Sequence, residues 1–138
     1  MKIESFGDYF AIGSQNHVTF VDHRTPKICF SAKIIDYGAG VRSLLYKDEY
    51  IMVGTGSGSV TFFDIRTKRY LMGPLGEQSG VHCLESGSGW IGGNPYELNT
   101  VQNAIYTLNF NDHKNLLFGG GGPIRLDIQG TYAGLWRI

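Results

Sequence analysis

The chain has 138 residues, and its 12 lysine and arginine residues balance 12 aspartate and glutamate residues, so the formal net charge is zero. A balanced charge gives no overall attraction to nucleic acid or to an anionic membrane, and neither partner is predicted. The 20 glycines, 8 tyrosines and 8 phenylalanines, without any window of sustained helical periodicity, favour an all-β fold.

Signals for targeting and redox chemistry are sparse. The amino-terminal sequence MKIESFGDYF lacks the apolar stretch of a signal peptide, and no apolar run is long enough to span a bilayer. Cys29 and Cys83 have neither zinc-ligand spacing nor a CxxC pattern, which indicates an intracellular protein with reduced thiols. We therefore expect a cytoplasmic or nuclear location.

A repeated hairpin organises the chain, and its first copy is FAIGSQNHVTFVDHRTPK. The alternation of apolar and polar residues predicts strands over 9–14 and 18–22, followed by a third strand over 27–33. The residues before this copy, MKIESF, are too short for a firm assignment and resemble the end of an inner strand.

The second copy of the hairpin is IMVGTGSGSVTFFDIRTKRY, residues 51–70. From Asp22 to the equivalent Asp64 the repeat is 42 residues, and one four-stranded blade of a WD-type propeller takes roughly 40 to 45. With an innermost strand over 41–46 and a fourth strand over 70–72, segment 41–73 is the only blade predicted to be complete.

The central strand of that blade is apolar on both faces. Val60 and Phe62 alternate onto one face, and Phe63 and Ile65 onto the other. This pattern predicts a sheet packed between two neighbouring sheets, not one with a face in water.

After the second copy, residues 74–103 are rich in glycine, serine, asparagine and proline, which predicts a partly disordered surface insertion. The repeat resumes at IYTLNFNDHKNLLFGGG, where Ile105 aligns with Val41, and Trp136 takes the place of Phe63. The predicted blade segments are thus 1–34, 41–73 and 104–138. A closed propeller needs about four or more blades, so we expect a partial ring with two open edges, marginal stability and a tendency to associate.

The glycine runs 54–58 and 119–122 each follow a strand, as phosphate loops do. Neither run is followed by a helix or by a GK[ST] ending, so both are predicted to be hairpin turns.

Metal-dependent and other catalytic functions have no sequence signature here. The histidines lack the spacing of metal ligands, and no metal or cofactor is predicted. A propeller hydrolase or lyase would place carboxylates and histidines at the starts of its inner strands. Those positions hold Val41, Arg42, Ile105 and Tyr106, which argues against an enzyme.

Three arginines are the candidate binding residues. Arg42 begins an inner strand and should lie near the mouth of the central channel, whereas Arg24 and Arg66 end third strands in the pattern Asp-x-Arg and should lie on the opposite face. A guanidinium suits carboxylate acceptors, at about 1.5 to 3 kcal/mol per charged hydrogen bond. The alternative for Arg24 and Arg66 is a local ion pair with the preceding aspartate, and for Arg42 it is a solvated rim charge.

The chain resembles WD-repeat substrate receptors of cullin-4 ubiquitin ligases, in particular the C-terminal third of the DDB- and cullin-4-associated factor 12 family. The similarity is carried by GVRSLLYKDEYIMVGTGSGSVTFFDIRTKRYL, GSGWI, NAIYT and LLFGGGGPIRLDIQGTYAGLW, and it spans nearly the whole chain.

The resemblance implies a non-enzymatic propeller of about seven blades that binds protein C-termini ending in paired glutamates and presents them for ubiquitination. It matches Arg42 to the basic pocket for these degrons. It matches Arg66, and by repeat Arg24, to the Asp-x-Arg box that docks the DDB adaptor of the ligase. A general WD-repeat scaffold without degron recognition is the alternative.

Overall fold

The computed structural model describes residues 1–25, 27–34, 40–71, 83–85, 103–123 and 132–137. These residues form twelve strands in three antiparallel sheets. The described ranges contain no helix of the length and apolarity that a bilayer crossing requires.

The first sheet has the order β1-β2-β3-β4. Its strands are β1 (Lys2–Phe6), β2 (Tyr9–Gly13), β3 (His17–Asp22) and β4 (Lys27–Lys33). The expectation that only segment 41–73 holds four strands is therefore wrong, because β1 pairs with β2 along its full length. A two-residue turn with Gly7 at a φ of 52° joins these strands, and the Gly-Asp pair after a short β-rich run was its sequence signal.

The second sheet has the order β5-β6-β7-β8, and β9 also pairs with β7. Its strands are β5 (Val41–Lys47), β6 (Tyr50–Thr55), β7 (Ser59–Asp64), β8 (Arg69–Tyr70) and β9 (Cys83–Glu85). The strand β9 lies within the segment that the sequence indicated as an insertion. It forms because β8 covers only the last two residues of β7, so the hydrogen-bonding groups of Ser59–Thr61 are left for a second segment.

The third sheet has the order β10-β11-β12, with β10 (Asn103–Asn111), β11 (Leu116–Pro123) and β12 (Tyr132–Arg137).

The first strands of the three sheets lie side by side and run in the same direction. Between β1 and β5, the rings of Phe6 and Tyr46 stack with centroids 4.5 Å apart. Between β5 and β10, Ser43 Oγ donates a hydrogen bond to the carbonyl oxygen of Ile105 at 2.8 Å. Lys47, at the end of β5, forms an ion pair with Asp112, just after the end of β10. Three sheets joined through their first strands are three blades of a propeller, which confirms the predicted fold class.

Two apolar clusters hold the blades together, and β7 contributes to both. The side chain of Phe63 lies between the first and second sheets, whereas Val60 and Phe62 lie between the second and third, as their alternation predicted. Burial of one such side chain stabilises the fold by about 1.5 to 3 kcal/mol. The first cluster contains Ala11, Val18, Phe20, Ile34, Val41, Ile51, Val53 and Phe63. The second contains Met52, Val60, Phe62, Ile105, Leu108 and Leu117.

Candidate functional site

The antiparallel sheets give the molecule two ends, which we name by their arginines. The Arg42 rim is the end at which β5 begins and β6 ends, where Val41 pairs with Thr55. The Arg66 rim is the end at which β7 ends and β6 begins, where Asp64 pairs with Tyr50. Arg24 follows the end of β3, so it lies at the Arg66 rim, and Arg42 lies at the opposite end from the other two arginines.

Arg42 lies in a β-bulge. The pairing of β5 with β6 passes from Val41–Thr55 directly to Ser43–Gly54, which leaves Arg42 without an opposing residue. A bulge re-aims the side chain that it carries and is common beside binding sites. Gly40, with a φ of 73°, lies against this side chain, since a Cβ there would be 3.8 Å from the guanidinium carbon of Arg42.

The guanidinium of Arg42 has an unmet hydrogen-bonding requirement. Its side chain is half-buried, and Nε is buried with no hydrogen-bond partner among the described residues. None of the ion pairs in the described ranges includes Arg42. A buried donor without an acceptor costs about 1 to 3 kcal/mol, and more when the group is charged. A carboxylate on a bound molecule would supply the acceptor.

Arg24 is bound by two carboxylates at the Arg66 rim. Its Nε and Nη2 donate to Asp22 at 3.0 and 2.7 Å, and its Nη1 lies 3.1 Å from Asp8. The side-chain hydrogen bond from Arg24 is the main cause that lowers the pKa of Asp22 to about 2, and Asp22 in turn raises the pKa of Arg24. All three nitrogens of this guanidinium are thus occupied within the first sheet.

Arg66 has a different arrangement in the equivalent position. Its Nε lies 2.7 Å from Glu49 and 3.8 Å from Asp64, and both carboxylates approach closest at this one nitrogen. Asp64 instead accepts hydrogen bonds from the backbone N–H groups of Arg66 at 2.8 Å and Thr67 at 3.2 Å. Burial tends to raise the pKa of Asp64, but these two N–H groups, together with the charge of Arg66 and the Thr67 hydroxyl, outweigh it, and the net pKa is lowered. The side chain of Arg66 is 63% exposed, so a partner can approach it.

The two rims differ in the number of their carboxylates. Six of the eight carboxylate residues in the described ranges lie at the Arg66 rim, and of the other two, Glu4 lies within β1 and Glu85 pairs with Ser59 at the Arg42 rim. Of the eleven lysine and arginine residues in the described ranges, Lys2, Lys33 and Arg42 lie at the Arg42 rim, and the other eight lie at the Arg66 rim. With eight cations against six carboxylates at the Arg66 rim and three against one at the Arg42 rim, the Arg42 rim is distinguished by its few carboxylates and not by its net charge. The six carboxylates at the Arg66 rim are those of Asp8, Asp22, Asp48, Glu49, Asp64 and Asp112.

Sequence reasoning did not identify Glu49 and Asp8 as partners of the two arginines. Each acid lies in the turn between the first two strands of its sheet, far in sequence from the arginine that it contacts. The signal was indirect, because the predicted strands already brought that turn and the end of the third strand to the same rim. Across the residues that the structure describes, no three metal-ligating side chains are grouped together.

Comparison with known proteins identifies one family. Residues 4–137 match the model for the DDB1- and CUL4-associated factor 12 beta propeller.

Two solved structures are also similar, each with 13% sequence identity and a TM-score of 0.62. One is a europium-containing methanol dehydrogenase, of which the match covers 26% of the chain and 88% of ours. The other is the quinohemoprotein alcohol dehydrogenase ADHIIG from Pseudomonas putida HK5, with 21% and 88% coverage. Our chain thus spans about a quarter or less of the length of these structures, and at such low identity the likeness concerns the fold alone.

Proposed function

The chain belongs to the DDB1- and CUL4-associated factor 12 beta-propeller family, and from this premise we propose that it is a binding segment of a substrate receptor for a cullin-4 ubiquitin ligase. In this role the chain performs no chemistry itself. It holds a substrate protein at the Arg42 rim and contacts the DDB adaptor of the ligase at the Arg66 rim.

The substrate that we propose is a protein C-terminus that ends in two glutamates. The supporting observation is Arg42, whose buried Nε has no acceptor in the described ranges although the other two arginines are paired with carboxylates. Among the described residues, Glu85 is the one carboxylate at the Arg42 rim, so an acidic peptide meets little repulsion from these side chains.

For the adaptor we propose unequal roles for the two Asp-x-Arg arginines. Arg66 offers its guanidinium to an acceptor on the adaptor, and its side chain is 63% exposed. Arg24 is 56% exposed but engages carboxylates with all three nitrogens, so its contribution is to hold the turn in shape.

Peptide binding to the full-length protein tests the substrate assignment. Fluorescence polarisation would compare a labelled peptide ending in Glu-Glu with the same peptide ending in Gln-Gln. We expect the Glu-Glu peptide to bind more tightly, and Arg42→Ala to weaken its binding by roughly 10- to 100-fold, the equivalent of one charged hydrogen bond. Arg69→Ala is the matched control, because it removes the same charge from an exposed position on β8 at the opposite rim.

Equal affinity for the two peptides would contradict degron recognition and favour a general WD-repeat scaffold. One observation already favours that second function: both Asp-x-Arg arginines have carboxylate partners within their own sheets, as a purely structural box would. Adaptor binding separates the two functions further.

A further inference from the structure

Tyr106 occupies the position in the third sheet that Arg42 occupies in the second. The pairing of β10 with β11 passes from Ile105–Gly121 directly to Thr107–Gly120, so Tyr106 also lies in a β-bulge without an opposing residue. Gly121 permits this geometry, because a Cβ there would overlap the carbonyl oxygen of Ala104. Two adjacent inner strands therefore carry the same irregularity at the same rim.

A direct hydrogen bond sets the two bulges side by side. Ser43 Oγ donates to the carbonyl oxygen of Ile105 at 2.8 Å. Arg42 immediately precedes Ser43, and Tyr106 immediately follows Ile105, so each bulge residue is one Cα step of about 3.8 Å from the bonded pair. An extended peptide advances about 3.3 to 3.6 Å per residue, and a few terminal residues suffice to reach from one side chain to the other.

The side chain of Tyr106 is available for binding. It is 41% exposed, and it makes no hydrogen bond or ring contact with any residue in the described ranges. Its phenol hydroxyl can donate a hydrogen bond. Because the hydroxyl is neutral, its burial against a bound peptide does not carry the desolvation cost of a second charged side chain. A peptide that presents two neighbouring carboxylates to this rim can place one at the guanidinium and another at the phenol.

We propose that Tyr106 is a second specificity-determining contact, which donates a hydrogen bond from its hydroxyl to a carboxylate of the acidic C-terminal peptide bound at Arg42. This proposal rests on the proposed function and extends it from a single arginine to a site shared by two blades. It predicts a preference for two acidic residues over one, since the two donors stand on different strands.

Replacing the hydroxyl alone tests the contact. In the full-length protein, Tyr106→Phe keeps the ring and therefore its packing, and we expect it to weaken binding of the Glu-Glu peptide about tenfold. Binding of a peptide ending in Gln-Glu, which lacks one side-chain carboxylate, should change less. Tyr9→Phe, at an exposed tyrosine of the Arg66 rim, is the matched control and should leave both affinities unchanged.

The outcomes of these measurements distinguish a failure of the tyrosine contact from a failure of the proposed function. If wild-type protein prefers Glu-Glu and Arg42→Ala abolishes the preference while Tyr106→Phe binds as wild type, the tyrosine contact is refuted and the function stands. If wild-type protein shows no preference for Glu-Glu over Gln-Gln, both proposals fall. A tenfold loss in Tyr106→Phe with an unchanged melting temperature supports the contact, because a packing defect would also lower stability.

Discussion

The turns after β3 and β7 carry the same Asp-x-Arg-Thr sequence and bind their arginines in different ways. In the first, the carboxylate of Asp22 holds the guanidinium of Arg24 itself, with a second contact from Asp8. In both turns the aspartate accepts a hydrogen bond from the backbone N–H of the arginine, but in the second the guanidinium of Arg66 extends to Glu49. A repeated motif thus determines the shape of a turn, whereas residues outside the motif determine whether its arginine is available to a partner.

The largest expected difference concerns adaptor binding. We expect Arg66→Ala in the full-length protein to weaken its affinity for the DDB adaptor by roughly 10- to 100-fold, because a charged hydrogen bond at the interface is lost. A pull-down of the adaptor measures this loss. Arg24→Ala should change that affinity by less than about threefold, since its nitrogens already have carboxylate partners. Equal losses of affinity for the two variants would contradict the unequal roles of Arg24 and Arg66. No loss for either variant would favour the scaffold function.

A smaller effect is expected in the acid stability of the first turn. The folded-state pKa of Asp22 is about 2, below its ordinary 3.8, so its ionised form stabilises the fold above roughly pH 4. This contribution is lost as the pH falls from about 4 towards 2. Thermal unfolding should therefore show Asp22→Asn melting below wild type at pH 6, with the two melting temperatures converging near pH 2. A difference of the same size at both pH values would show that the ionised pair with Arg24 is not its source.

The smallest effect should come from Glu49, the residue that makes the second turn unlike the first. Glu49→Gln removes the competing carboxylate from Arg66, and we expect adaptor affinity to rise by up to about threefold, as suits one exposed ion pair. Asp48→Asn is the matched control, because this neighbour in the same turn pairs with Lys47 and does not contact Arg66. The same adaptor affinity for Glu49→Gln and Asp48→Asn would contradict the competition of Glu49 for Arg66.

The fold was largely predictable because its determinants are local and periodic. The 42-residue repeat indicated the blade, and the alternation of Phe62 and Phe63 indicated that the middle sheet is buried on both faces. The strand β9 was not predicted, because only the uncovered part of β7 explains why three residues of a polar segment pair there.

The candidate site was less predictable, because it depends on contacts between segments that are distant in sequence. The end of β5 that holds Arg42 followed from strand order alone. Its bulge changes the direction of one side chain without disturbing the apolar pattern, so the sequence gives no sign of it. The alignment of the repeats matched Tyr106 with Arg42. Only the structure shows that each residue lies in a bulge and that a hydrogen bond joins their neighbours, Ser43 and Ile105.

The divided outer strand of the middle sheet has an evolutionary consequence. Because β8 and β9 each pair with β7 by their own register, the hydrogen bonds of either piece do not depend on how many residues join them. We therefore expect changes in the length or sequence of the connection between positions 71 and 83 to leave the pairing of both pieces unchanged. Variation in the periphery of this blade is thereby uncoupled from selection on its inner strands.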